Sequence, residues 1–338
     1  MRKMIFFPLA LWPALMLLEW MKMVVGSDPE ASLLASRDSP KCWVFDQQPK
    51  SGGTTVKRML EGTYNEHFQN ICFHAWDLGD KRIERIEKRG GKKWYVASGG
   101  YAGLMRNNRF ASSPSRGGAA CNFFTVFRHP ISRMVSAYFY CHGFPTDSIC
   151  GSRVVSASKV DFLTFAKHWS NFALRQFAFK YVSVEQVSTY LRTQEAVALL
   201  PDSLSHWGEA PGWYQVKLFL NRPHGPDEQL PEANLHNLLV QVQDDISNTY
   251  TAVGLLEDWN TTIELFSMAV DAPGMNWKDD FDQQGAKNVF KGFEEEKRIT
   301  LANAWVDPDL KRYIWLDLLL YEHAVSVFHT QLHMYGLS

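Results

Sequence analysis

Two stretches of this chain carry residue types at a spacing suited to holding an anion. The first is Pro49-Lys50-Ser51-Gly52-Gly53-Thr54-Thr55. Lysine brings a compact positive charge. The paired glycines allow a tight turn and close backbone approach. Ser51, Thr54 and Thr55 add hydroxyl donors. If this loop opens a helix, the N–H groups of the first turn and the helix dipole form an anion pocket. The loop is not a Walker A motif, because its lysine precedes the glycines instead of following them.

The second stretch is Arg128-His129-Pro130-Ile131-Ser132-Arg133-Met134-Val135-Ser136-Ala137-Tyr138. Arg128 offers a planar fork of donors suited to bidentate phosphate contact. Ser136 follows about two helical turns later and can face the same ligand. Arg133 reads as a solvated helix residue.

The surrounding pattern supplies elements that position both stretches. Cys42–Phe45 is a short apolar run, read as a buried strand, and Val56–Gly62 looks helical. Trp94–Ala97 is a second short run. Phe123–Phe127 is the clearest strand, and Pro130 suits the first turn of a helix over Ile131–Tyr140. Thr251–Leu255 is a further strand between helices. Leu235, Leu238, Leu239, Val242 and Ile246 recur at helical spacing, as do Leu310, Ile314, Leu318, Tyr321, Val325 and Phe328. Strands alternating with helices predict an α/β fold with a mainly parallel sheet and a helix-rich C-terminal half. Arg128 then stands at the carboxyl end of a strand, where such sheets place their ligands.

Together the two stretches resemble the cofactor site of PAPS-dependent sulfotransferases, whose donor is 3′-phosphoadenosine 5′-phosphosulfate. They are most similar to the Golgi carbohydrate enzymes of the glycosaminoglycan type. In that family a Pro-Lys-x-x-x-Thr/Ser loop binds the 5′-phosphosulfate, and an Arg-x-Pro-x-x-Arg-x-x-Ser-x-Tyr segment binds the 3′-phosphate. Val253-Gly254-Leu255-Leu256-Glu257 and Asp317-Leu318-Leu319-Leu320-Tyr321-Glu322-His323-Ala324 are similar to its C-terminal region. The resemblance implies a P-loop-like fold, with Lys50, Ser51, Gly52, Gly53, Thr54 and Thr55 on the 5′-phosphosulfate and Arg128 and Ser136 on the 3′-phosphate. It implies a carbohydrate hydroxyl as acceptor and no metal requirement. Lys50 would act catalytically, stabilising charge on the leaving oxygen.

The proton acceptor departs from the family. Related 2-O-sulfotransferases carry His-x-His between the two cofactor loops. Here the corresponding stretch is Tyr95-Val96-Ala97-Ser98-Gly99-Gly100-Tyr101, without histidine. His74 is the candidate base, as histidine accepts protons near neutral pH. His67, Glu61 and Glu66 are alternatives. A protein-tyrosine sulfotransferase, or a weakly active or non-catalytic membrane protein that binds nucleotide or glycan, is the competing expectation.

The N-terminus sets the expected compartment. Arg2 and Lys3 precede an apolar run from Met4 to Leu18, continuing past Glu19 and Lys22 to Val25. Read as Met4–Val25 it matches the roughly 20 residues needed to span a bilayer. The expectation is a short cytoplasmic tail (1–3), a signal anchor (4–25), a polar stem (26–40) and a lumenal domain (41–338) in the Golgi membrane. The alternative is a signal peptide cleaved near Gly26 and Ser27, with secretion of the rest. Cys141 and Cys150 flank a loop and are expected to pair in such an oxidising compartment. No Cys or His spacing suggests zinc.

The net charge is −1, from 35 basic and 36 acidic residues, which argues against a general nucleic-acid binder. Asn260-Thr261-Thr262 is a glycosylation sequon, with Asn260 alternatively the N-cap of a helix over Thr261–Val270. Asn171, Arg175 and Gln176 are read as lining an acceptor groove or decorating a helix face. Lys287, Asn288 and Lys291 are read as a solvated loop, with a lid over the nucleotide as the alternative.

Overall fold

The computed structural model describes residues 42–66, 71–75, 95–99, 121–145, 150, 157, 159–178, 232–270, 272, 275–284 and 292–337. Lys41–Ser338 forms one compact unit. The expected anchor and stem lie outside the described residues, as do His67 and the 285–291 loop. Among the described residues no helix is long and apolar enough to cross a membrane.

Among the described residues, five parallel strands form the sheet: β1 (Cys42–Asp46), β2 (Ile71–Ala75), β3 (Tyr95–Gly99), β4 (Asn122–Phe127) and β5 (Tyr250–Leu255). Their order is β2-β3-β1-β4-β5. Trp43, Val44 and Phe45 are all buried, as are Phe123, Phe124, Val126 and Phe127. Such unbroken apolar runs are what a parallel sheet covered on both faces requires. Phe45 stands opposite Phe124, and Asp46 opposite Thr125. Phe124 centres the larger core, its ring 5.2 Å from Phe45, 5.3 Å from Phe266 and 5.8 Å from Trp277.

From β1 the chain passes through α1 (Gly53–Glu66) to the edge strand β2, returns to β3, then crosses β1 to reach β4. Beyond β4 it runs through α2 (Pro130–Gly143), α3 (Phe162–His168), α4 (Phe172–Ala178) and α5 (Glu232–Thr249) before β5. The neighbours β1 and β4 therefore send their following segments in opposite directions. That is a topological switch point, where open α/β sheets form a crevice at their carboxyl ends. β2 is the strand the sequence reading missed; its backbone pairs in register with β3, His74 opposite Ser98.

The C-terminal half adds α6 (Trp259–Ala269), α7 (Trp277–Gln284), α8 (Glu294–Val306), α9 (Pro308–Tyr313) and α10 (Trp315–Met334). Gln331 of α10 treats β5 as a missing strand would: its Oε1 accepts from Val253 N at 2.8 Å and its Nε2 donates to Tyr250 O at 3.0 Å. Two of the backbone groups along this sheet edge are thereby satisfied.

The sequence pattern joined Leu310 to Phe328 in one helix, but the chain breaks at Ile314, and Leu310 belongs to α9. The deeply buried face of α10 is Leu316, Leu320, Ala324 and Phe328, whereas Leu318, Tyr321 and Val325 are half-buried. Leucines on several faces of this helix leave the phase of a 3.6-residue period undetermined.

A second core packs α2 against α3, α8 and α9 around Met134, Phe165, Trp169 and Leu310. Its charged element is Arg133, which is buried and not solvated as expected, with Nη2 paired to Asp317 Oδ2. Asp317 also accepts from Leu174 N at 2.9 Å and Ala173 N at 3.2 Å. Burial pulls the Arg133 guanidinium below its ordinary pKa, and Asp317 pushes it back up. The Cys141–Cys150 bridge is formed, with Cα atoms 5.1 Å apart. It closes the loop after α2 and removes about 2–3 kcal/mol of unfolded-chain entropy for a loop of this length.

Candidate anion-binding site

The first loop joins β1 to α1. Lys50 and Gly52 both have left-handed backbones, at φ 65° and 79°. Glycine accepts this freely; for lysine it costs on the order of 1 kcal/mol. The turn is closed by Thr55 N donating to Gly52 O at 3.0 Å. The N–H groups of Gly53 and Thr54 take no partner among the described residues, as expected for first-turn donors. A Cβ on Gly53 would meet Gln47 Cγ at 2.4 Å, and one on Gly52 would meet Leu256 Cδ1 at 2.9 Å. Both glycines therefore admit neighbouring side chains under the loop.

Beneath the loop lies a buried polar layer. Tyr250 donates to Asp46 Oδ2 at 2.7 Å, and Thr125 Oγ1 donates to Asp46 O at 2.8 Å. Burial pushes the Asp46 carboxyl up to about 8, against the lowering effect of Tyr250. Gln176 Nε2 donates to Gln47 O at 3.2 Å. Asp46 Oδ1, Gln47 Oε1, Gln48 Nε2, Ser51 Oγ and Gln176 Oε1 are buried with no hydrogen-bond partner among the described residues. Buried polar atoms are normally paired. Two of these, on Gln48 and Ser51, are donors and suit an anion.

The second loop joins β4 to α2 and touches the first directly. Arg128 Nη1 donates to Lys50 O at 3.1 Å. Arg128 is half-buried; burial pulls its pKa below the ordinary value and Glu257 pushes it back up. Guanidinium nonetheless keeps its proton at any ordinary pH. His129 caps α2, its Nδ1 accepting from Ile131 N at 3.3 Å, and Pro130 opens the first turn. Burial holds the His129 imidazole below its ordinary pKa despite nearby Glu257, which fits an unprotonated Nδ1.

Ser132, Ser136 and Tyr140 are half-buried and spaced one turn apart on α2. Tyr140 ends this stripe with its ring 3.8 Å from Lys50 Nζ. Ser136 thus lies on the face of α2 that reaches toward the first loop.

A third loop, from β5 to α6, completes the edge. Leu256 and Trp259 pack against Gly52. Glu257 Oε1 accepts from His129 N at 2.9 Å, and Glu257 Oε2 accepts from the Tyr321 hydroxyl at 3.1 Å. The sequence reading noted Glu257 without a role and gave none to Asp46, Gln48 or Tyr140. A polar residue ending an apolar strand, as Asp46 does, is the signal that was available.

Other expected site residues fall elsewhere. The His74 backbone lies on edge strand β2, two strands from β1 and hence about 10 Å away across the sheet; its side chain is outside the described residues. Glu61 pairs with Lys57 at 3.5 Å along α1. Asn171 and Gln176 each have one amide atom engaged inside the fold: Asn171 Oδ1 accepts from Leu316 N at 3.1 Å and Asp317 N at 3.2 Å, and Gln176 Nε2 donates under the first loop. The Arg175 side chain is outside the described residues. Asp258, not Asn260, is the N-cap of α6; Asn260 sits exposed in the first turn.

The strands that the two sequence motifs follow are thus adjacent, and the loops they form converge on one sheet edge beside a helix N-terminus. Comparison with protein-family models and with characterised proteins finds no match for this chain.

Proposed function

We propose that this chain is a PAPS-dependent sulfotransferase with a P-loop-like nucleotide site and a carbohydrate hydroxyl as acceptor. The observation that carries the reading is the contact of Arg128 with the Lys50 carbonyl. It brings a guanidinium and an amide cradle close enough for one nucleotide bearing two anionic groups to reach both. The unpartnered Ser51 Oγ and Gln48 Nε2, and the open N–H groups of Gly53 and Thr54, supply donors of the right kind. Bound PAPS would supply the sulfuryl group. In this reading Lys50 and the N-terminus of α1 hold the 5′-phosphosulfate, with Ser51, Gly52, Gly53, Thr54 and Thr55. Arg128 and Ser136 hold the 3′-phosphate.

In the overall exchange a sulfur–oxygen bond to the nucleotide breaks and one to the acceptor oxygen forms. The acceptor proton leaves to a base, and adenosine 3′,5′-bisphosphate departs. Negative charge grows on the leaving oxygen, where Lys50 and the first-turn amides are most effective. No metal takes part in this scheme. The base stays with His74, as the residue type and not its place in the sheet suggests. The Cys141–Cys150 bridge supports passage through an oxidising compartment, and with it the Golgi lumenal address.

The test uses the full chain with sulfur-labelled PAPS and a panel of glycans and tyrosine peptides. Transfer to a glycan, abolished by Lys50→Ala and by Arg128→Ala in folded protein, is the expected result. Full activity in both variants overturns the reading. Transfer to peptides alone makes it a tyrosine enzyme.

A further inference from the structure

Lys50 is gripped twice by one segment of chain. Its carbonyl accepts from Arg128 at the start of the β4–α2 connection. Its ammonium lies 3.8 Å from the centroid of Tyr140, about three helical turns further along α2. Between these anchors the Lys50 backbone adopts a left-handed conformation that lysine seldom takes. The Tyr140 ring is itself fixed. Phe144 packs on it with centroids 4.9 Å apart, and the next residue, Cys141, is tied to Cys150.

We propose that Tyr140 is a positioning residue for Lys50, its ring face holding the ammonium beside the anion cradle in a fixed orientation. A lysine side chain loses rotamer entropy when it is immobilised. A ring that binds the cation beforehand removes much of that loss from the binding step, which is how preorganisation raises affinity. The interaction is electrostatic and uses the ring face, so a phenyl ring suffices and the hydroxyl is dispensable. Trp improves it and an aliphatic side chain abolishes it. The consequence for sulfuryl transfer rests on the nucleotide reading above; the clamp belongs to the protein alone.

The experiment measures two quantities on the full chain. The first is the rate at which an amine-acylating reagent labels Lys50 without ligand, read by mass spectrometry. The second is the affinity for adenosine 3′,5′-bisphosphate by calorimetry. Tyr140→Phe should leave both near wild type. Tyr140→Leu should label about threefold to tenfold faster, and bind the bisphosphate weaker by a similar factor. Wild-type labelling in a folded Tyr140→Leu protein overturns the clamp. If that variant does not fold, Tyr140→Trp decides: slower labelling than in Tyr140→Phe supports the clamp, and an equal rate overturns it. If the labelling contrast holds while wild type ignores the bisphosphate, the clamp stands and the nucleotide reading fails.

Discussion

The Arg128 guanidinium donates to the carbonyl of Lys50, 78 residues earlier in the chain, at 3.1 Å. One side chain thus fixes the spacing of two loops while most of its donors stay uncommitted to any described residue. Arg128→Lys keeps the charge but removes the planar fork. Losing a charge-assisted contact of this kind weakens binding by about 1.5–3 kcal/mol, or about ten- to hundredfold. Calorimetry with adenosine 3′,5′-bisphosphate reads this loss; an unchanged affinity would show that Arg128 only braces the loops.

Glu257 works against any anion held by Arg128, because its carboxylate already stabilises the guanidinium. Glu257→Gln keeps an acceptor for His129 N–H and removes the negative charge. The bisphosphate should then bind severalfold tighter, from about 1 kcal/mol of relieved repulsion at this exposed position. The gain should shrink as salt rises from low to physiological strength.

Asp46 makes stability depend on pH in a defined direction. Its carboxyl is raised from 3.8 to about 8 by burial. Between those values the folded chain holds a proton that the unfolded chain has released. Its contribution to stability is therefore complete below about pH 4 and is lost as pH rises toward 8, by at most about 1.4 kcal/mol per pH unit. Asp46→Asn carries no proton to lose and should flatten this slope. Urea melts of both proteins at pH 5, 6.5 and 8, with matched slopes subtracted, measure the difference.

The Arg133–Asp317 pair holds α2, α4 and α10 together. Asp317→Ala leaves a buried guanidinium without its counter-charge and should cost about 3–5 kcal/mol. Arg133→Met combined with Asp317→Leu should cost much less, since neither charge then remains. Denaturant melts of the two variants separate these outcomes, and equal losses in both would mean the pair contributes only volume.

How much of this was legible in the residues differs by element. β1, β4 and β5 announced themselves because a strand covered on both faces must be apolar throughout. β2 escaped because it is a short edge strand whose pairing with β3 is a matter of tertiary context. The two motifs each mark a strand-to-helix loop at the carboxyl end of the sheet, as glycine, proline and strand ends constrain the backbone locally. Glu257, Asp46 and Tyr140 did not declare themselves, because their roles arise from loops that meet only after the chain has crossed the sheet. Arg133 was misread for a similar reason: its counter-ion is 184 residues away, and spacing on its own helix says nothing of it.

The crossing from β3 over β1 to β4 also governs when the loops can meet during folding. Their contacts close loops of 78 residues for Lys50–Arg128, 128 for His129–Glu257 and 204 for Asp46–Tyr250. Pairings so distant in sequence slow folding, since the entropy of closure is spent before contacts repay it. A ribosome-bound chain that has not yet released β5 lacks the partner of Asp46 and the third of the three converging loops. The meeting of the three loops therefore marks the finish of folding, since only a chain that has placed β5 can assemble all of them.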